Sequence, residues 1–375
     1  MRFKKLTAML LSASMVVGLL AGCTSGGSNP TPAPKETTPA TTPAETTPAD
    51  TTPVSGESSL KGKRVRVVIG STSTGGDSYM MADIVTRFLG EEMGFNGKVD
   101  PVGNAAALDA ITKAKGDGTT IMMFHDMTFL SVLFGAVGEE YSLDNLTVGP
   151  RIGQNPGGCF AANAAAPYDS LAGAAKWLSE NPDKTIRVNI ESGSASHLCF
   201  VVWYLWAKDT YGEDVSNRIK AVVGGTTDEK KQRLWDGNAD IIYGDYSAFN
   251  EFTKEGVDAQ LAMKMMDSSG NIQGVDNLDT MANDGITFNG EPFDFNKDFS
   301  MYFPKDMDPA VLNEIAAAMQ KVCANPDFQA EMAALKYNAV SPEETELAAS
   351  QQFVLDKRDT SVAIVDAAPS LDSMT

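Results

Sequence analysis

Residues 67–89, VVIGSTSTGGDSYMMADIVTRFL, are the stretch from which the fold can be inferred. An apolar β-branched run comes first, a turn rich in Gly, Ser and Thr follows, and apolar residues then recur at helical spacing after Asp77 and Ser78. This order predicts a strand, a loop and a helix. The loop lacks the Gly-Lys-Ser/Thr of a P-loop and the third glycine of a dinucleotide-binding turn, so a nucleotide phosphate is not its expected ligand.

The same unit recurs further along the chain. Strands are predicted at 64–70, 185–190, 219–225 and 239–245, and helices at 77–89, 170–180 and 198–208. Thr226 and Glu229 form a capping-box pattern before another helix. Strands that alternate with helices of this length predict βαβ units and parallel sheets, in which ligands bind at the carboxyl ends of the strands.

Three loops follow predicted strands and open predicted helices. They are STSTGGDSY at 71–79, ESGSASH at 191–197 and VGGTT at 223–227. Backbone N–H groups and hydroxyls at a helix start can bind a carboxylate or a phosphate. Ser and Thr also cap helices for structural reasons alone, and Asp77 is equally typical of a first helical turn. The residues by themselves leave both interpretations open.

The first 60 residues predict export and anchoring. Residues 1–22 have a basic start and a short apolar run, as in a secretory signal peptide, and LAGC at 20–23 is similar to the lipobox of bacterial lipoproteins. We therefore expect a lipidated Cys23 at the outer face of the cell membrane, with an ordinary signal peptide as the alternative. Residues 23–60 are rich in Pro, Thr and Ala, a composition typical of a solvated tether.

Charge and cysteine content exclude several classes of function. The formal net charge is −19, which disfavours binding to nucleic acid. The absence of a CxxC motif and the presence of only two histidines make a metal site unexpected, and no cofactor is predicted. Three cysteines remain if Cys23 is acylated, which allows at most one disulfide. The sequence leaves open whether Cys159 pairs with Cys199.

The ordered set of segments resembles one protein family. Residues 65–94, 99–123, 190–198, 222–245 and 303–340 are similar to successive segments of the TctC or Bug family, the solute-binding receptors of tripartite tricarboxylate transporters. The resemblance covers nearly all of residues 61–352. The chain departs from the family pattern at residues 103–107, GNAAA, and at Thr119.

The resemblance implies an architecture and a role. The fold class would be α/β, two-lobed and periplasmic-binding-protein-like (type II), with a ligand cleft between the lobes. Lobe I would comprise 61–162 and 263–375, and lobe II 163–262, with chain crossings near Asn163 and Ala262. The protein would be a monomer without catalytic activity, binding a small carboxylate and delivering it to integral-membrane permease subunits.

The resemblance also implies ligand-binding residues in both lobes. In the first lobe these are Ser73, Thr74, Gly75, Gly76, Asp77, Ser78, Asn104 and Ala105. In the second lobe they are Ser192, Ser194, Ser196, His197, Gly225, Thr226 and Asp245. We expect neutral donors at helix starts to hold the anion without a buried lysine. Asp77 and Asp245 would orient water or accept a hydrogen bond from a ligand hydroxyl or amine.

Several alternatives stay open at this point. A receptor of another transporter class (TAXI or TRAP-like), or a partner of a sensor, would share the Gly-rich first loop. A secreted hydrolase would use Ser196 beside His197, although SGSAS is not a Gly-x-Ser-x-Gly elbow. His125 is either a ligand contact or a buried strand-end histidine. The aromatic residues of the 198–208 helix, Trp203, Tyr204 and Trp206, are expected to pack in the core.

Overall fold

The computed structural model describes residues 57–375, so the signal peptide, Cys23 and most of the tether lie outside the described residues. The strands, in chain order, are β1 (Arg64–Ile69), β2 (Asn96–Pro101), β3 (Thr120–His125), β4 (Leu146–Asn155), β5 (Gly158–Asn163), β6 (Ile186–Ile190), β7 (Ile219–Val223), β8 (Ile241–Asp245), β9 (Met263–Ser268), β10 (Thr287–Phe288), β11 (Glu291–Pro292) and β12 (Lys297–Pro304).

Twelve helices accompany these strands within residues 57–375. They are α1 (Asp77–Met93), α2 (Asn104–Thr112), α3 (Met127–Leu133), α4 (Leu171–Glu180), α5 (Ala195–Tyr211), α6 (Glu213–Ser216), α7 (Thr227–Trp235), α8 (Tyr246–Phe249), α9 (Pro309–Ala324), α10 (Pro326–Ala334), α11 (Leu347–Ala367) and α12 (Leu371–Met374). None of them is long and apolar enough to cross a membrane.

Two five-stranded sheets organise the described residues. The first has the order β2-β1-β3-β12-β4, in which β1 is parallel to β2 and β3 while β12 is antiparallel to its neighbours. The second has the order β7-β6-β8-β5-β9, in which β6 is parallel to β7 and β8 while β5 is antiparallel to its neighbours. Each sheet with its helices forms one lobe, and both lobes belong to one compact unit. The predicted parallel βαβ pattern is therefore present in each lobe, with antiparallel strands added.

The chain crosses between the sheets twice. It leaves the first sheet at Asn155, the last residue of β4, and enters the second sheet at Gly158, the first residue of β5. It leaves the second sheet at Ser268 and re-enters the first at Lys297. Asn163 and Ala262, near which the crossings were predicted, are the last residue of β5 and the residue before β9, and both strands belong to the second sheet.

Local sequence signals account for the ends of several helices. Ser170 caps α4 by accepting from the N–H of Gly173, and α9 begins with Pro309, a residue type favoured at the first helical position. Thr226 and Glu229 form the predicted capping box at the start of α7. The prediction for the 198–208 aromatic residues is confirmed, because Trp203 is fully buried in α5 and donates from Nε1 to the Leu171 carbonyl at 2.9 Å.

The three cysteines among residues 57–375 are all buried free thiols. The open question of a Cys159–Cys199 disulfide is thereby answered, since Cys159 lies in β5 and its Sγ contacts Met265 Sδ at 3.5 Å. Burial raises the pKa of the Cys199 thiol to about 12, so it stays protonated. These thiols act as small apolar core groups.

Candidate functional site

One cavity of about 270 Å³ lies where the two lobes face each other. Its walls come from the loop after β1, the end of β3, the loops after β6 and β7, the end of β8 and the first residue of β12. All but the last of these are carboxyl ends of strands, as the parallel topology predicts for a ligand site. Its volume suits a small metabolite rather than a polymer.

Nine of the fifteen residues predicted to contact a ligand line this cavity. They are Ser73, Gly76, Asp77, Ser78, Ser194, Ser196, Gly225, Thr226 and Asp245. They come from all three Gly/Ser/Thr loops and from the end of β8. The structure therefore brings together, on facing walls, residues that are up to 172 positions apart in the chain.

The other six predicted residues do not line the cavity. They are Thr74, Gly75, Asn104, Ala105, Ser192 and His197. Thr74, Gly75 and Ala105 are exposed to solvent, while Asn104 donates from Nδ2 to Ser131 Oγ at 2.9 Å. Neighbouring residues in a loop point in different directions, so a loop that reaches the cavity presents only part of its sequence to it.

His197 contributes to packing between the lobes. Its ring stacks on Phe134 of the first lobe with ring centroids 3.9 Å apart, and its Nδ1 accepts from the N–H of Gly193 at 3.3 Å. Gly193 has φ of +71°, and a Cβ there would lie 2.8 Å from Ser131 Cα. Only glycine therefore allows the loop after β6 to approach the first lobe this closely.

Ser196 is engaged in the helix cap rather than paired with a base. Its Oγ accepts from the N–H of Glu191 at 2.9 Å and shares a hydrogen bond with Ser194 Oγ at 2.7 Å. His197 makes its contacts elsewhere, with Phe134 and Gly193. The serine–histidine pair required for a nucleophilic hydrolase is not formed by these two neighbours.

Five polar side chains, three of which line the cavity, connect the two lobes. We call them the interlobe network: Asp77, Asn155, Asp245, Lys297 and Tyr337. Lys297 forms an ion pair with the Asp77 carboxylate. Asn155 Nδ2 donates to Asp77 Oδ2 at 2.9 Å and to Asp245 Oδ2 at 2.7 Å, and the Tyr337 hydroxyl donates to Asp245 Oδ2 at 3.1 Å. The network therefore ties the start of α1 in one lobe to the end of β8 in the other.

Burial and pairing set the protonation of this network. Burial is the largest single effect on Asp77 and would raise its pKa, but the nearby positive charge, chiefly that of Lys297, and the hydrogen bonds from Lys297 and Asn155 together outweigh it and hold that pKa well below its usual range. Burial likewise opposes the charge on Lys297, yet the Asp77 and Asp245 carboxylates raise its pKa. Burial raises the pKa of Asp245, and the neighbouring Asp77 charge adds to the effect. Asp77 and Lys297 are thus a charged pair at neutral pH.

Lys230 is the second buried lysine in the cavity wall. It lies in the first turn of α7 and is only 7% exposed. Its Nζ makes one hydrogen bond, 3.3 Å long, to the carbonyl of Tyr243, and no carboxylate of residues 57–375 lies within 4.0 Å of it. Burial lowers the pKa of Lys230, whereas the charge of Glu191 opposes that shift. A bound anion would favour the charged form of Lys230, whose ammonium would then have donors free to bind it.

His125, at the end of β3, also lines the cavity and is neutral. Burial is the largest cause that lowers its pKa, to about 3. Its Nδ1 accepts from the N–H of Met127 at 3.2 Å, and its ring packs between Phe124 and Phe299. This environment is that of a buried strand-end histidine which presents one edge to the cavity.

The charged members of the wall were not predicted from the sequence. Neutral donors were expected to hold the anion without a buried lysine, but Lys230 and Lys297 both line the cavity. Glu191 was noted only as the first residue of a loop. One signal was available for Lys297, since a lysine that begins a strand as apolar as KDFSMYFP is unusual and calls for a buried partner.

Comparisons with known proteins bear on the fold. No protein-family model and no curated protein matches this chain. Solved structures match it over most of its length. The structure of MatC from Rhodopseudomonas palustris with bound malate has a TM-score of 0.67 at 17% identity, covering 80% of this chain and 99% of that one.

Two further solved structures are similar to this chain over most of its length. The periplasmic binding protein BugD has a TM-score of 0.65 at 16% identity, covering 82% of this chain and 98% of that one. Another R. palustris protein, with adipate, has a TM-score of 0.61 at 15% identity, covering 80% of this chain and 97% of that one. The fold is that of a periplasmic binding protein. The predicted two-lobed α/β class is therefore confirmed, and the cavity lies between the two lobes of that fold.

Proposed function

We propose that this protein is an extracytoplasmic solute-binding receptor that captures a small carboxylate and delivers it to a membrane transporter of the tripartite tricarboxylate type. The observation that carries the proposal is the buried Lys230 ammonium, which faces an interlobe cavity without a carboxylate partner. Three helix starts, those of α1, α5 and α7, contribute to the same walls. A carboxylate there would gain a counter-ion and backbone donors together.

Two further observations support this role. MatC was solved with malate and a second similar protein with adipate, so this fold holds small carboxylates in other chains. The predicted signal peptide at residues 1–22 and lipidated Cys23 would place the protein outside the cell membrane, as a monomer on a tether beside its permease partner. Binding and release would follow from closure and opening of the lobes rather than from chemistry.

A cavity-filling variant tests the proposal. Thr72 is exposed and lines the cavity, whereas Thr74 is exposed and does not, so Thr72→Trp and Thr74→Trp form a matched pair. Thermal-shift measurements with mono-, di- and tricarboxylates, amino acids and phosphate would identify ligands. A ligand at a hundred times its Kd adds about 2.7 kcal/mol of stability to the wild type.

We expect at least one carboxylate to raise the Tm of the wild type and of Thr74→Trp, and to have little effect on Thr72→Trp. Unchanged melting of the wild type with every carboxylate would contradict the proposal. An equal shift in all three proteins would show that the ligand binds somewhere other than this cavity.

A further inference from the structure

The cavity wall carries more negative than positive charge. It contains four acidic side chains and two lysines: Asp77, Glu191, Glu229, Asp245, Lys230 and Lys297. His125, in the same wall, is neutral because its pKa lies near 3. A ligand with several negative charges would enter a wall of its own sign, which costs free energy unless each charge meets a cation.

Three of these six residues are already satisfied within the interlobe network. Asp77 Oδ1 accepts from the N–H of Ser78 at 2.8 Å while Oδ2 accepts from Asn155 and Lys297. Both oxygens of Asp245 are likewise occupied, Oδ1 by the N–H and hydroxyl of Ser247 and Oδ2 by Asn155 and Tyr337. The charge of Lys297 is balanced by Asp77 and Asp245 within the protein, so Lys297 contributes little net positive charge toward a ligand.

Glu229 is committed to the helix that it begins. Its Oε2 accepts from the N–H of Thr226 at 2.7 Å, as part of the capping box. This bond fixes the carboxylate at the start of α7, where it adds a negative charge to the wall.

Glu191 and Lys230 remain as an opposite-charge pair that does not touch. Among residues 57–375, the Glu191 carboxylate has neither a hydrogen-bond partner nor a cation within 4.0 Å. The Glu191 backbone is fixed, since its N–H donates to Ser196 Oγ at 2.9 Å and its carbonyl accepts from Ser194 Oγ at 2.8 Å. The wall thus presents one buried cation and one anion at separate positions.

We propose that the ligand is a zwitterionic carboxylate of the amino-acid class, with its carboxylate bound by Lys230 and its ammonium bound by Glu191. The inference rests on the proposed carboxylate-receptor function and specifies its ligand. Such a ligand gives each of the two unpaired side chains a partner of opposite sign and adds no net charge to the cavity. A di- or tricarboxylate would place its second carboxylate beside the negative charges of Glu191 and Glu229. Lys297 would compensate that carboxylate poorly, because it is already paired with Asp77.

The test compares pairs of ligands that differ only by the amino group. Isothermal titration of the purified protein would use alanine and propanoate, glutamate and glutarate, leucine and 4-methylpentanoate, and phenylalanine and 3-phenylpropanoate. We expect the amino member of at least one pair to bind at least tenfold more tightly. Glu191→Gln should remove that preference by weakening the amino member and not its analogue. Glu180→Gln, an exposed acid outside the cavity, is the matched control and should keep the preference.

The outcomes separate this inference from the function on which it rests. Equal or tighter binding of the amino-free member in every pair that binds overturns the inference but leaves the carboxylate receptor standing. A preference for amino members that survives in Glu191→Gln also overturns the assignment of Glu191. Absence of binding by all eight compounds would count against the receptor proposal and the inference together.

Discussion

Lys297 and Lys230 line the same cavity and are 6% and 7% exposed, yet their surroundings differ. Lys297 forms an ion pair with Asp77 inside the interlobe network. Lys230 has one 3.3 Å hydrogen bond to a carbonyl and no carboxylate within 4.0 Å among the described residues. The difference indicates that the first lysine stabilises the fold, and under the proposed function the second is available to a ligand.

The positions of the two lysines in the chain explain this division. Lys297 begins β12, where the chain returns to the first sheet, and its partner Asp77 begins α1 in the same lobe. Lys230 lies in the first turn of α7, at the edge of the second lobe that faces the cavity. Both lysines reach the cavity, but the start of β12 lies beside the carboxylate at the start of α1, whereas no carboxylate among residues 57–375 lies within 4.0 Å of the lysine at the start of α7.

Replacing Lys297 is expected to have the largest effect on stability. Lys297→Met leaves the Asp77 carboxylate buried without its cation, and removing one partner of a buried pair costs about 3–5 kcal/mol. Urea unfolding at pH 7 measures the change, with Lys176→Met, an exposed lysine of α4, as control. A loss below about 1 kcal/mol would show that the pair does not stabilise the fold.

The difference in stability between the wild type and Lys297→Met is expected to depend on pH. The folded pKa of Asp77 lies below its ordinary value of 3.8, so its contribution is complete above 3.8 and is lost as the pH falls toward the folded value. The difference in unfolding free energy between wild type and Lys297→Met should therefore shrink as the pH falls from about 4 to about 2.5. A constant difference over that range would mean that Asp77 is not the partner that matters.

Asp267 is a buried acid that, unlike Asp77, has no cation beside it among the described residues. Its Oδ2 accepts from the N–H of Leu171 at 2.6 Å, and Oδ1 has no partner within residues 57–375. Burial, followed by the charge of Asp284, raises its pKa to about 8. The stabilisation that comes from protonated Asp267 is complete below its ordinary pKa of 3.8. It is lost as the pH rises through the pKa of about 8 that Asp267 has in the fold.

The free energy of unfolding of Asp267→Asn should therefore increase relative to that of the wild type as the pH rises from 5 to 8, by at most about 1.4 kcal/mol per pH unit. Urea unfolding at four pH values measures the difference, with the exposed Asp276→Asn as control. If the two proteins follow parallel stability curves, Asp267 is ionised in the fold and this interpretation is wrong.

Replacing Lys230 should change stability least. Lys230→Met removes a buried charge that lacks a counter-ion and keeps a side chain of similar length, so the unfolding free energy should stay within about 1 kcal/mol of the wild type. A loss close to that of Lys297→Met would show that Lys230 is a structural residue and would remove the contrast between the two lysines.

Short-range signals made much of the fold predictable. The capping box at Thr226 and Glu229, the Asn181-Pro182 stop after α4 and the apolar runs of β6 and β8 each lie within one local segment. Their alternation was sufficient to predict parallel sheets and a ligand site at the carboxyl ends of their strands. The antiparallel placement of β5, β9 and β12 was not predicted, because pairing direction depends on distant strands.

The pairing of the charged side chains in the cavity could not be predicted from the sequence, because it too depends on residues that are far apart in the chain. Asp77 and Lys297 are 220 positions apart, and Asn155 meets Asp245 over 90 positions. In the sequence, Asp77 fits an ordinary helix-start acid and Lys230 an ordinary solvent-facing lysine in a polar helix. The fold alone shows that one is paired and the other is not.

Calorimetric titration with the carboxylate that gives the largest thermal shift would show whether Lys230 is the counter-ion of the ligand. The proteins compared are the wild type, Lys230→Met and Lys176→Met. A hydrogen bond to a charged group contributes about 1.5–3 kcal/mol, so the account predicts a Kd raised by roughly tenfold to a hundredfold in Lys230→Met. Lys176→Met should bind like the wild type. An unchanged Kd in Lys230→Met, with folding intact, would contradict the claim that this lysine is the counter-ion of the ligand.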